Sequence, residues 1–152
     1  MLYEMIKNES YMNLMRQHIQ ELLLFLFEQE QNFGILCKVE YLTFEPALPD
    51  RIRSEFRPMT LFFLAGYTFD SARLDNNALI FEAGFGEENI GSFVQVPLLS
   101  IMQVIVDETP IFVNLASPRE MASNQPTPRE NGIENSMASF LSNPENQKFI
   151  KD

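Results

Sequence analysis

Between residues 11 and 30 the apolar positions Met15, Ile19, Leu22, Leu23 and Leu26 recur at three- and four-residue steps, with Arg16, Gln17, Gln20 and Glu21 between them. That spacing predicts one amphipathic helix over 11–30. Asn8, Glu9 and Ser10 carry N-cap chemistry ahead of it, and Asn32 and Gly34 supply a stop behind it. Leu24, Phe25 and Phe27 widen the apolar stripe beyond what packing on one sheet requires. A second surface is therefore expected on the far side, either more of the same domain or the same helix of a second copy.

Farther along, Ile35, Cys37, Val39 and Tyr41 alternate with Leu36, Lys38, Glu40 and Leu42. This is the period-two pattern of a half-buried strand, with Cys37 on its apolar face. Pro46 and Pro49 interrupt it, and 50–56 predict one or two helical turns with Ile52 and Phe56 on one side, ended by Pro58. Strands are predicted over 60–64 and 67–74, then a turn at Asp75, Asn76 and Asn77, then a strand over 78–85 that completes a hairpin. A turn rich in acid, Asn and Gly over 87–91 leads to a strand over 92–96, which Pro97 terminates. The run 98–106 is almost wholly apolar and admits helix or strand; Pro97 just ahead of it favours a short helix. Residues 111–115 read as the closing strand.

The pattern changes after Ala116, where Pro118, Pro126, Pro128 and Pro144 lie among Ser, Asn, Gln and Glu with few apolar residues. A folded domain over 1–115 and a disordered tail over 116–152 are expected. The tail ends in Lys148, Phe149, Ile150, Lys151 and Asp152, an apolar and basic cluster that a purely solvating segment has no need to carry.

Charge and composition narrow the function. The 152 residues include 11 Lys and Arg against 21 Asp and Glu, a net charge of −10, which argues against binding nucleic acid through phosphates. A single cysteine, Cys37, excludes an intramolecular disulfide and a multi-thiolate metal site, and suits a reducing compartment. The longest apolar run, 22–27, is far short of the roughly 20 residues of a membrane span, and Glu4 and Glu9 spoil a cationic signal-peptide start. A cytoplasmic protein without a membrane segment is expected.

Catalytic chemistry finds little to work with. His18, the one histidine, lies between the faces of the N-terminal helix. Gly84 and Gly86 flank Phe85 without the Lys of a phosphate loop or the strand-to-helix setting of a dinucleotide site. Glu87 and Glu88 are adjacent, so they project in different directions from a solvated turn, although a hydrolase using one of them is the alternative enzyme reading. No cofactor or metal is called for. Sheet edges, an over-apolar helix and a tail with a sticky end instead describe a binding protein. An extended peptide can add to a sheet edge through main-chain hydrogen bonds, with side-chain pockets for selectivity. A flexible tail of roughly 35 residues reaches about 30–35 Å, enough to hold a second partner beside the first and raise its local concentration.

Three motifs in order carry a family resemblance: Met59-Thr60-Leu61-Phe62-Phe63, then Ala83-Gly84-Phe85-Gly86, then Val94-Gln95-Val96-Pro97-Leu98 with its apolar continuation through Ile101 and Val104. Together they resemble the SspB (stringent starvation protein B) family of substrate-delivery adaptors for the ClpXP protease. Leu48-Pro49-Asp50-Arg51-Ile52, Phe56 and the ending 107–115 are most similar to its alphaproteobacterial branch. The resemblance spans about 15–115.

It implies an α+β fold, mostly β: an N-terminal helix on two curved antiparallel sheets, an SspB-like or Sm-like barrel, with a disordered C-terminal tail. It also implies a homodimer formed through that helix, here with Met15, Ile19, Leu22, Leu23 and Leu26. The implied activity is capture of the ssrA degradation tag of polypeptides from stalled ribosomes, without catalysis, and delivery to ClpX. The small residue of the Ala-x-Phe-Gly motif lines the family's tag groove and falls on Ala83. Strand alternation puts Phe81 and Phe85 on the side of Ala83 as a shallow floor, with Gly84 between them. A family tail end docks on the N-terminal zinc-binding domain of ClpX, and Lys148, Phe149, Ile150 and Lys151 occupy that place, without the family's paired valines and followed by Asp152. The chain also lacks a Trp near 67–70, and its 87–91 turn is longer than in close relatives. A general chaperone-like peptide-binding module is the remaining alternative.

Overall fold

The computed structural model describes residues 1–118; the proline-rich stretch from 119 onward, with Lys148, Phe149, Ile150 and Lys151, lies outside the described residues. Chain order begins with α1 (Leu2–Ile6) and α2 (Glu9–Glu28). The side-chain oxygen of Asn8 accepts from the backbone N–H groups of Ser10 and Tyr11, satisfying two donors that a helix start leaves free. At the other end Glu30 takes φ 54°, Gln31 N–H donates to the Leu26 carbonyl, and Glu30 N–H donates to that of Phe27. This is a Schellman close with Glu30 in the usual glycine position, so the stop precedes Asn32 and Gly34.

Among the described residues eight strands form two antiparallel sheets. In the first, β3 (Met59–Leu64), β1 (Phe33–Lys38), β7 (Ile101–Val106) and β8 (Thr109–Val113) lie side by side in that order; in the second the order is β2 (Thr43–Glu45), β6 (Ile90–Pro97), β5 (Ala78–Phe85) and β4 (Arg73–Asp75). The fold is mixed α+β with more strand than helix, as expected. Two tight hairpins hold the order: Asn76 and Asn77 join β4 to β5 at φ 55° and 64°, and Asp107 and Glu108 join β7 to β8 at φ 51° and 67°. Consecutive positive φ values match the right-handed twist of the paired strands. One core forms where α2 meets the inner faces of both sheets. Ile19, Leu23 and Leu26 meet Ile35, Cys37, Leu64 and Val104 of the first sheet and Leu79, Phe81, Val94 and Val96 of the second. Burial pushes the Cys37 thiol far up, so it is an inert core group rather than a nucleophile.

Four segments depart from the sequence pattern. The alternation over 35–42 is strand only to Lys38, and Val39–Tyr41 is a 3-10 turn. The stretch 67–74 is a strand only from Arg73. Before it α4 (Gly66–Ser71) turns so that Phe69 sets its ring 5.4 Å from Phe27 and 6.3 Å from Phe33, a tertiary contact that local alternation does not reveal. The stretch 98–106 is a single 3-10 turn at Leu98–Ser100, closed by the Ser100 hydroxyl on the Pro97 carbonyl, followed by β7. β-Branched Ile101, Val104, Ile105 and Val106 fit a pleat better than a helix. Order also runs past 115. Buried Asn114 donates from its amide to the carbonyls of Leu99, Ile101 and Ala116 and accepts from Ala116 N–H, while Ser117 donates to the Tyr41 hydroxyl. Among the described residues no helix is long and apolar enough to cross a membrane.

Candidate functional site

The second half of β5 lies where the two sheets meet, and on one side it has helix α4 rather than a strand against it. Strand β4 pairs with Ala78, Leu79 and Ile80 alone, so no strand lies beside Phe81 to Phe85 on that side. Ser71 Oγ accepts from Glu82 N–H there. Alternation then puts the Gly84 N–H and carbonyl on the same side, where an extended chain could pair with them. A Cβ added at Gly84 would meet the side-chain amide of Asn89, which would have to turn aside.

Phe81, Ala83 and Phe85 do share the inward face of β5, but only the last two reach the surface. Phe81 is fully buried and half-buried Ala83 and Phe85 flank the opening, so the floor is narrower than the sequence suggests. Behind it lie further rings, of which Phe44 and Phe62 are buried core and Phe56 is half-buried. Phe85 lies 5.8 Å from Phe44, 5.9 Å from Phe56 and 6.4 Å from Phe62, all nearly edge-on, and Phe62 is 6.0 Å from Phe81. Phe62 comes from β3, the edge strand of the other sheet, and thereby joins the two sheets at this seam.

Helix α3 (Asp50–Arg53) and the residues after it wall the seam. Phe56 stacks on Phe44 at 5.7 Å, and the Arg53 guanidinium sits 5.1 Å over the same ring. Ile52 presses on the turn after β5, where Gly86 has φ 75° and an added Cβ would lie 2.9 Å from Ile52 Cδ1. Arg51 pairs with Glu88 at 2.9 Å, which commits Glu88 to holding α3 against this turn. Gly86→Ala is accordingly expected to lower stability by about 1–2 kcal/mol, the cost of a left-handed backbone with a Cβ, and to displace α3. Urea unfolding reads the first effect, and the amide shifts of Ile52 and Glu88 read the second.

Outside the seam, Tyr67 donates a short hydrogen bond to Glu82. That bond, then the charge of Glu82 and some desolvation, hold the Tyr67 phenol above its ordinary value, so it stays a neutral donor across the physiological range. His18 is exposed on α2.

Of the helix residues expected to pair two copies, Ile19, Leu23 and Leu26 are enclosed within one, while Met15 and Leu22 are half-buried. Ile19, Leu23 and Leu26 are at most 3% exposed in the isolated chain, and no partner can touch a side chain that its own domain has enclosed. Leu22 packs on the same core, and Met15 packs on a small satellite of Met12, Leu99 and Ala116. The physical reason is that α2 serves as a third layer against both sheets. Its exposed apolar residues are Leu14, Leu24 and Phe25.

The arrangement is that of a two-sheet α+β protein with an aromatic cluster where β5 meets β2 and β3. No family model matches the chain, and no curated protein matches it.

Proposed function

We propose that this chain is a non-catalytic adaptor that takes an extended degradation tag of the ssrA type into the seam beside β5 and presents it to the ClpX unfoldase. The observation that carries the proposal is the unpaired second half of β5 over the Phe44, Phe56, Phe62 and Phe85 rings. With the Glu82 N–H taken by Ser71, the main-chain groups of Gly84 are the ones an extended peptide would pair with, and half-buried Ala83 lies next to them. Residues 148–151, outside the described part, are the proposed contact with the zinc-binding domain of ClpX. Delivery is then a gain in effective concentration, and the setting is the cytoplasm. A hydrolase built on Glu88 is disfavoured by its ion pair with Arg51.

The test is degradation of an ssrA-tagged reporter by ClpXP with and without the full chain. The chain should accelerate turnover at low substrate, and a chain lacking residues 147–152 should bind tag peptide normally yet give no acceleration. If the truncated chain still accelerates, the terminal segment is not the ClpX contact. If the full chain has no effect, the adaptor proposal fails.

A further inference from the structure

Strand β4 stops pairing at Arg73, yet the chain ahead of it stays beside β5. The register that sets Arg73 against Ile80, Leu74 against Leu79 and Asp75 against Ala78 puts Ser71 opposite Glu82 when carried two residues further. There the backbone belongs to α4, and a side chain continues the ladder in its stead. Ser71 Oγ accepts from the Glu82 N–H at 2.9 Å and donates to the Thr68 carbonyl at 2.9 Å. Tyr67, one turn earlier in α4, donates its hydroxyl to the carboxylate of the same Glu82. Two hydrogen bonds from one short helix thus converge on one residue of β5, and Ser71 Oγ stands where the carbonyl of an added strand would accept.

Little else fastens α4. It has 6 residues, none of them buried, and its deepest contact is the half-buried Phe69 ring against Phe27 and Phe33. Its first residue, Gly66, takes φ 59°, and a Cβ added there meets nothing within 4 Å. A cleft of about 530 Å³ opens between α4 and the end of α2, with Gly66, Phe69 and Asp70 on one side and Phe27, Glu30 and Asn32 on the other. No residue of β5 lines that cleft, so α4 has space on the side away from the strand. An element with few buried contacts and exposed hydrogen bonds opens at low cost while the core stays folded.

We propose that α4 is a displaceable strap on the edge of β5, which holds the place of an incoming strand and swings off Glu82 when an extended peptide pairs there. The identity of that peptide rests on the adaptor reading above; the strap adds a competition within the chain. With α4 in place, Gly84 alone offers its main-chain groups. With α4 displaced, Glu82 and Gly84, two residues apart and so pointing to one side of the strand, offer theirs together. The carbonyl of the peptide then replaces Ser71 Oγ, so the Glu82 N–H keeps a partner in both states. Apparent affinity is the intrinsic affinity scaled by the fraction of chains whose strap is open. A bond made only in the closed state therefore weakens peptide capture, and Ser71 and Tyr67 set affinity through the strap.

Two measurements on the full chain test this. In residue-resolved hydrogen exchange the Glu82 N–H should exchange together with the amides of Phe69 and Ala72, and at least about tenfold faster than that of Ile80, which lies in the same edge but is paired with Arg73. Ser71→Ala should speed exchange at Phe69 and Ala72 and raise the affinity for a fluorescent ssrA-type peptide, each by about two- to tenfold, the effect of one hydrogen bond. Gly66→Ala lies off the edge and strains α4 through its left-handed backbone, so it should raise affinity without altering any group the peptide meets. The strap is overturned if Glu82 exchanges as slowly as Ile80, or if a native chain that binds the peptide binds it no better in either variant. Should the native chain bind no ssrA-type peptide while Glu82 and α4 still exchange together, the adaptor reading fails and the strap stands.

Discussion

Leu23→Asn is expected to unfold the chain rather than to separate two copies of it. Leu23 has no exposed surface and sits where α2 contacts both sheets, with Ile19 and Leu26 beside it and Ile35 and Leu79 in the same core. Removing its apolar bulk costs about 2–5 kcal/mol, since the surrounding core relaxes only partly. The buried amide adds about 1–3 kcal/mol for donors and acceptors that find no partner. Domains of this size have about 5–15 kcal/mol in total, so the variant should lose its cooperative melt or lower the midpoint by more than about 10 °C. Phe25→Asn, one turn's edge away and 54% exposed, should melt within a few degrees of native. A Leu23→Asn chain with a native melt and half the native mass would instead show that this residue lies between copies.

The second large effect is on binding. Ala83→Gln should reduce affinity for an ssrA-type peptide by at least about tenfold, because the longer side chain occupies the space beside β5 that a tag side chain needs. Ala83 is half-buried at the mouth of the seam, so the amide can turn toward water and the fold should survive, at a cost of about 1–3 kcal/mol at most. Peptide anisotropy with a melting curve as control separates the two effects. Unchanged affinity in a folded Ala83→Gln chain would move the peptide away from this seam.

Much of the framework was legible because it is local. The 3.6-residue period of α2, the cap at Asn8 and the Asn76-Asn77 turn are written in neighbouring residues. What could not be read depends on contacts far apart in the chain. Phe69 forms a helix instead of a strand because Phe27 and Phe33 wait for it across the fold. The wide apolar stripe on α2 signalled a second surface, yet of the residues that widen it Leu24 and Phe25 stay exposed and Phe27 alone is packed, against Phe33 and Phe69. At the candidate site, alternation correctly put Phe81, Ala83 and Phe85 on one face. It could not show that Phe81 is enclosed, or that Phe44, Phe56 and Phe62 from three other segments pack behind Phe85. The apolar alternation of Met59, Leu61 and Phe63 was visible, yet the face it belongs to appears only when β1, β7 and β8 are laid beside it.

The most direct measurement is the anisotropy of a fluorescent ssrA-type peptide titrated with the full native chain, against a scrambled peptide of the same composition. Saturable binding of the tag sequence, with the scrambled peptide bound much more weakly, is the predicted result. Equal affinity for both would describe a general peptide binder, and no binding of either would contradict the adaptor account.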